Sequence, residues 1–136
     1  MIAGRPIVAG TARGEALVTR EPLSFWGGYD FQTGEIIDQH HPLAGSRVAG
    51  RVLAVPYSKG SSTTTAVLLE AARAGTAPAA ILTTAVDSFF ALASIVAGVM
   101  YDKSFPVVVV ERADFDALEP GRLLIIEHSG IVRLEA

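Results

Sequence analysis

The pattern of apolar and polar positions changes character near residue 50. Before that point apolar residues come in short runs broken by glycine. Residues 6–9 and 16–19 read as strands, and residues 12–14, with their glycine, as the turn between them. In SFWGGYDFQTGEIID, Gly27-Gly28 and Thr33-Gly34 mark tight turns around aromatic residues. The segment HHPLAGS, residues 40–46, is crowded with proline and glycine and reads as a loop. Residues 51–55, a short apolar run between Gly50 and Pro56, predict a buried strand.

From there strand and helix alternate. Residues 63–74 place Val67, Leu68, Ala71 and Ala72 on one helical face with Glu70 and Arg73 outside it, and Gly75 follows as a stop. Residues 79–83 predict the next strand. Asp87 or Ser88 then opens a helix expected to run to residue 97 and end at Gly98. FPVVVV, residues 105–110, is β-branched and continuous, as a strand covered on both faces should be. Residues 114–118 fit one helical turn. Residues 123–127 and 131–134 fit two strands around His128-Ser129-Gly130, a hairpin. The order is β with turns, then β-α-β-α-β, then β. It predicts a single α/β domain over residues 1–136, layered β/β/α. No repeat, low-complexity tract or linker interrupts it.

Composition narrows what such a domain can do. A chain of 136 residues can bury one substantial core. With 50% hydrophobic and 18% charged residues it is not a disordered chain. Aromatics are only 7%, so the core must rest on Val, Leu, Ile and Ala. A formal charge of −3 argues against nucleic acid as a partner, because phosphate binding needs a basic surface. The absence of cysteine excludes disulfides and any iron–sulfur or Cys-zinc site made by this chain alone. The opening MIAGRPIVAG, with Arg5 and Pro6, does not read as a signal peptide. Asp87 divides the most apolar region, residues 76–101, into runs too short to span a bilayer. A soluble, cytoplasmic protein without membrane contact is expected. Low charge beside high apolar content also fits a surface partly covered by another chain.

Most candidate chemistry yields to simpler readings. GSRVAGRV (residues 45–52) has the glycine spacing of a P-loop, but Arg51 and Val52 stand where Lys and Ser/Thr are needed, and a strand follows. His40 and His41 are adjacent, so in an extended segment they point apart, and no further ligand stands at metal-binding spacing. They read as loop histidines held by backbone contacts, as does His128. Phe25, Trp26, Tyr29 and Phe31 read as packing anchors beside unusual backbone angles. Asp30 and Asp38 read as turn residues or surface charges.

PYSKGSSTTT, residues 56–65, is different. A helix cap needs one serine, and Ser61 or Ser62 would serve. The remaining residues fit a second role. Gly60 allows a sharp turn, the N–H groups of residues 61–63 project from a helix start, and Lys59 adds a full charge beside them. A carboxylate or phosphate suits such a cradle, which also lies where open α/β sheets place ligands. A helix N-terminus, a lysine and a water-poor site would stabilise a serine alkoxide, so Ser61 or Ser62 could also accept a proton. Cap and cradle both fit these residues.

The string KGSSTTT, together with GG-x-D-x-x-TG (Gly27, Gly28, Asp30, Thr33, Gly34) and HPLAG (His41 to Gly45), resembles the small-subunit, swivelling domain of the aconitase X family. The resemblance covers nearly the whole chain. It implies a swivelling β/β/α fold and half of a hydro-lyase site. In that scheme a large catalytic subunit carries an iron or iron–sulfur centre on cysteines, acting as Lewis acid on the leaving hydroxyl, and this chain binds no cofactor itself. Ser61 would take the proton from the carbon beside the substrate's carboxylate. Lys59, Gly60, Ser62 and Thr63 would form the substrate-binding loop. The wider superfamily has an arginine after its glycine-serine-serine; Thr63 stands there, so a substrate carboxylate would find no arginine at this position. Family members act on cis-3-hydroxy-L-proline in bacteria and phosphomevalonate in archaea, and the SSTTT continuation favours the former. A different class, a non-catalytic module binding a small anion, fits the same loop. A phosphocarrier does not, since no histidine lies between Tyr57 and Leu68.

Overall fold

The computed structural model describes residues 1–60 and 62–135. In chain order the strands and helices are β1 (Ile2–Ala3), β2 (Arg5–Val8), β3 (Ala12–Val18), β4 (Leu23–Ser24), β5 (Tyr29–Asp30), β6 (Glu35–Ile36), β7 (Val52–Ala54), β8 (Ser58–Lys59), α1 (Thr63–Ala74), β9 (Ala80–Thr83), α2 (Ser88–Tyr101), β10 (Val107–Val109), α3 (Arg112–Asp116), β11 (Leu123–Ile126) and β12 (Ile131–Leu134). The main sheet runs β1-β12-β11-β3-β7-β9-β10-β2. Its two end strands are consecutive in the chain and separated only by Gly4, so the sheet curls round towards closure. Gly4 is required there, because a Cβ would meet the Gly130 carbonyl oxygen at 2.6 Å. The Gly4 N–H donates to that same oxygen.

Alternation along the central strands divides the interior in two. Leu53, Ile81 and Val107 face α1 and α2, packing with Leu68, Ala71, Phe90 and Ala93. Their neighbours Val52, Ala54, Ala80, Leu82 and Val108 face the other way, into the curl, against Phe115, Leu124, Ile126 and Val132. Burial on both faces explains why the central strands read as unbroken apolar runs. Strands β3, β7, β9 and β10 are neighbours and run parallel, and α1 and α2 form the crossovers from β7 to β9 and from β9 to β10. This is the β/β/α layering expected from the sequence.

Helix α1 has the predicted bounds, with Gly75 in the left-handed conformation at its C-cap. Three expectations need correction. Residues 12–14 are not a turn: they belong to β3, which pairs antiparallel with β11 from Ala12 to Glu15. Gly14 serves a close approach, since a Cβ would lie 2.8 Å from the Gly50 carbonyl oxygen. Helix α2 does not end at Gly98 but continues to Tyr101. Asp102, at φ 55°, makes the left-handed stop and donates to the Gly98 carbonyl. The aromatic cluster also splits. Phe25 and Tyr29 are buried against one another, and Phe25 meets Phe90 edge-on, whereas Trp26 is 71% exposed. Burial pushes the Tyr29 phenol well above its ordinary pKa, keeping it a neutral donor to the Thr76 carbonyl at 2.7 Å. Among the described residues no helix is long and apolar enough to cross a membrane.

Candidate active site

The loop from β7 to α1 leaves the C-terminal end of a parallel strand in the middle of the sheet. After the buried Val55 and Pro56 comes Tyr57, half exposed, and then β8, which pairs parallel with β4. The sequence reading did not anticipate this strand, which is too short to carry a pattern. It sets Ser58 beside Leu23 and Lys59 beside Ser24. Gly60 follows at φ 115°, a conformation that side chains other than glycine rarely adopt.

Ser61, the expected proton acceptor, lies outside the described residues. Ser62 occupies the N-cap position of α1, but its backbone is αR and its side chain makes no capping hydrogen bond. The helix closes its first turn through Ala66 N–H to the Ser62 carbonyl at 3.2 Å. No acidic residue sits in that turn. Thr63 is the first residue of the helix, and Thr64 is buried with its hydroxyl unpartnered among the described residues. Lys59 thus ends β8, and Ser62 and Thr63 stand at the start of α1.

Lys59 also lines a cleft of about 420 Å³ with Glu21, Pro22, Ser24, Asp38, His40 and His41. His41 does have the backbone contact expected of it: its Nδ1 accepts from Leu43 N–H at 3.0 Å. That bond makes Nδ1 the unprotonated nitrogen and leaves Nε2 to carry the hydrogen. His41 is only 8% exposed, and its Nε2 is buried without a partner among the described residues. Asp30 and Asp38 are turn residues as expected, each accepting from the N–H two positions on, at Gln32 and His40. A larger depression of about 640 Å³ lies at the start of β3 and the end of β11; β3 runs parallel to β7, so this is the opposite end of the sheet from the loop. Its Arg13 is engaged by Glu135 at 3.0 Å.

Behind the loop stands a residue that the sequence reading named only as a possible cap. Asp87 accepts from Phe89 and Phe90 N–H through Oδ1, at 3.0 and 3.3 Å, and so caps α2. Its Oδ2 accepts from both Ser58 N–H and Ser58 Oγ, at 2.6 and 2.7 Å. No local pattern could have revealed that second pair, because the partners lie 29 positions apart.

The iron centre implied by the resemblance finds no ligands here. The chain has no cysteine, and among the described residues no group of three His, Asp or Glu side chains could hold a metal ion.

A curled sheet with two crossover helices on one side and a polar loop entering the first of them defines a swivelling β/β/α domain. The chain belongs to the aconitase X family: the model of the aconitase X swivel domain matches residues 1–134. Its relatives include cis-3-hydroxy-L-proline dehydratase of Pseudomonas aeruginosa, 46% identical over 88% of this chain. They also include the phosphomevalonate dehydratase small subunit of Thermococcus onnurineus, 35% identical over 97% of this chain and 96% of that one. The chain spans about a fifth (21%) of the length of the cis-3-hydroxy-L-proline dehydratases it matches. Among solved structures, aconitase X of Thermococcus kodakaraensis in its holo-form superposes with a TM-score of 0.87 at 33% identity, covering 99% of this chain and 98% of that one. A UPF0107 protein solved by solution NMR superposes at 0.85 with 35% identity, over 98% of each chain.

Proposed function

We propose that this chain is the swivelling part of a two-part dehydratase, closing its loop over a site whose remainder lies on a larger catalytic partner. The observation that carries the reading is the start of α1. There a lysine and a glycine-turned loop precede a helix N-terminus with no acidic residue and no capping bond from Ser62. Such a terminus favours an anion, here the carboxylate of a small substrate. Ser61 takes the proton from the carbon beside that carboxylate. Lys59 and the first helical N–H groups lower the cost of the negative charge that develops. Gly60, Ser62 and Thr63 shape the loop around the substrate. The iron centre belongs to the partner, whose cysteines would supply the ligands that this chain lacks.

The substrate we favour is cis-3-hydroxy-L-proline. Besides the identity to the Pseudomonas enzyme, the cleft at Lys59 is lined by Glu21 and Asp38 as well as the lysine. A ligand with both an ammonium and a carboxylate suits such a wall better than a phosphorylated one, which two carboxylates would repel. The second reading, phosphomevalonate, rests on the end-to-end match with the Thermococcus small subunit. A non-catalytic anion-binding module is the reading of another class.

One experiment separates the three. The chain is purified with whatever partner it retains, then assayed on both substrates beside the isolated chain. The proposal expects a cysteine-bearing, iron-containing partner, dehydration of cis-3-hydroxy-L-proline by the pair, and none by the chain alone. Turnover by the isolated chain would contradict the two-part site. Phosphomevalonate dehydration by the pair would select the second reading. Anion binding with no such partner and no turnover would select the third.

A further inference from the structure

We propose that Asp87 is a positioning residue for the substrate loop, setting the place of Lys59 and the residues after it through its grip on Ser58. The inference rests on the reading of that loop as half of a dehydratase site. The geometry behind it does not.

Asp87 is buried, 8% exposed, and its carboxylate has four donors divided between two structures. Oδ1 takes the Phe89 and Phe90 N–H groups in the first turn of α2, and Oδ2 takes the backbone and hydroxyl of Ser58. A helix cap needs only the first pair. The second pair ties the loop that opens the first crossover, before α1, to the loop that opens the second, before α2. Two further contacts join the same parts. Thr84 donates from its N–H and its hydroxyl to the Pro56 carbonyl, each at 3.3 Å. Thr65 Oγ1, in the first turn of α1, donates to the Phe89 carbonyl at 3.0 Å.

The grip matters because, among the described residues, the other restraint on residues 58 and 59 is a short strand pairing. β8 is two residues long and pairs only with the equally short β4, outside the main sheet. Tyr57 before it is half exposed, and Gly60 after it has the widest conformational freedom of any residue. Ser58, the residue before Lys59, is thus tied to the domain interior through Asp87. A charged acceptor gives hydrogen bonds roughly twice as strong as a neutral one, which suits a single short anchor. Should Ser58 drift by an ångström, the ammonium of Lys59 and the residues entering α1 drift with it, and misplacement on that scale costs about 100-fold in rate where geometry is demanding.

Asp87→Asn separates the two jobs. Asparagine caps helices as well as aspartate does, so its Oδ1 continues to accept from Phe89 and Phe90. Its Nδ2 can donate to the Ser58 hydroxyl but cannot accept from the Ser58 N–H, which loses its partner. Amide hydrogen exchange on the intact chain reads this directly. Exchange at Ser58, Lys59 and Gly60 should quicken by tenfold or more, while Phe89, Phe90 and the core of α2 keep their protection. Ser58→Ala, which deletes only the hydroxyl bond, should have a smaller effect at the same amides. In the enzyme assembled with its partner, Asp87→Asn should lower kcat by tenfold or more with a smaller change in KM, and Ser58→Ala should retain most of the turnover. Unchanged exchange at residues 58–60 would overturn the anchor. Quickened exchange with unchanged kcat and KM would overturn its positioning role. Loss of protection throughout α2 would also overturn the proposal, because the residue would then be only a cap. The exchange result holds whatever substrate the assembled protein takes, so a failure of the dehydratase reading would show in the assay and not in the amides.

Discussion

Helices α1 and α2 each follow a parallel strand of the same sheet and pack side by side, yet their first turns are built differently. Asp87 closes α2 with two side-chain bonds from an extended backbone, the ordinary way to satisfy N–H groups left over at a helix start. α1 begins with a serine whose backbone is already helical and whose side chain makes no cap. Its first turn carries no acid, and the residue two before the glycine-turned approach is held by the other helix's cap. One start is complete in itself. The other has no capping bond from Ser62, and the loop before it is tied to the cap of α2 through Ser58. Two equivalent topological positions are thus built differently, and the cap of α2 also holds the loop that enters α1.

The contrast can be broken in stability measurements first. Asp87→Ala removes a cap and leaves Ser58 N–H without its acceptor, and should cost about 2 kcal/mol of unfolding free energy in denaturant titration. A loss no larger than that of an average surface substitution would mean that α2 does not depend on its cap. Lys59→Met should leave the unfolding midpoint nearly unchanged, because Lys59 is exposed and makes no ion pair among the described residues. In the assembled enzyme it should raise KM by about tenfold, equivalent to ~1.4 kcal/mol, if the lysine binds the substrate's anion. The smallest effect is the most telling. Ser62→Ala should cost less than ~0.5 kcal/mol, against about 1 kcal/mol for a working serine cap, because no capping bond is lost. A loss above ~1 kcal/mol would put α1 back beside α2 as an ordinarily capped helix.

Legibility followed the range of the interactions. Helix α1 was readable to the residue because its buried face repeats locally and Gly75 supplies a chemical stop. FPVVVV was readable because a strand covered on both faces needs no alternation. Residues 12–14 misled because glycine marks a turn only when the backbone bends. At Gly14 the need for glycine comes from Gly50, across the sheet. Gly98 misled in the same way, its small size serving an approach to Ser104 within a helix that continues. The closure through Gly4 and the two-residue strand β8 depend wholly on distant partners. The site shows the same division. Lys59, Gly60 and the serines stand out by their composition at a strand-to-helix junction. The cleft formed by Lys59 with Asp38 and His41, and the bond from Asp87 to Ser58, bring together residues that no sequence pattern links.

The central claim is that the loop entering α1 supplies the base of a shared dehydratase site, and Ser61→Ala beside Ser62→Ala in the assembled enzyme tests it most directly. Measured as turnover with assembly checked by co-purification, Ser61→Ala should lose at least about 100-fold, as expected for removal of a positioned base, while Ser62→Ala stays within about tenfold. Near-normal turnover by Ser61→Ala, in an intact assembly, would contradict the account.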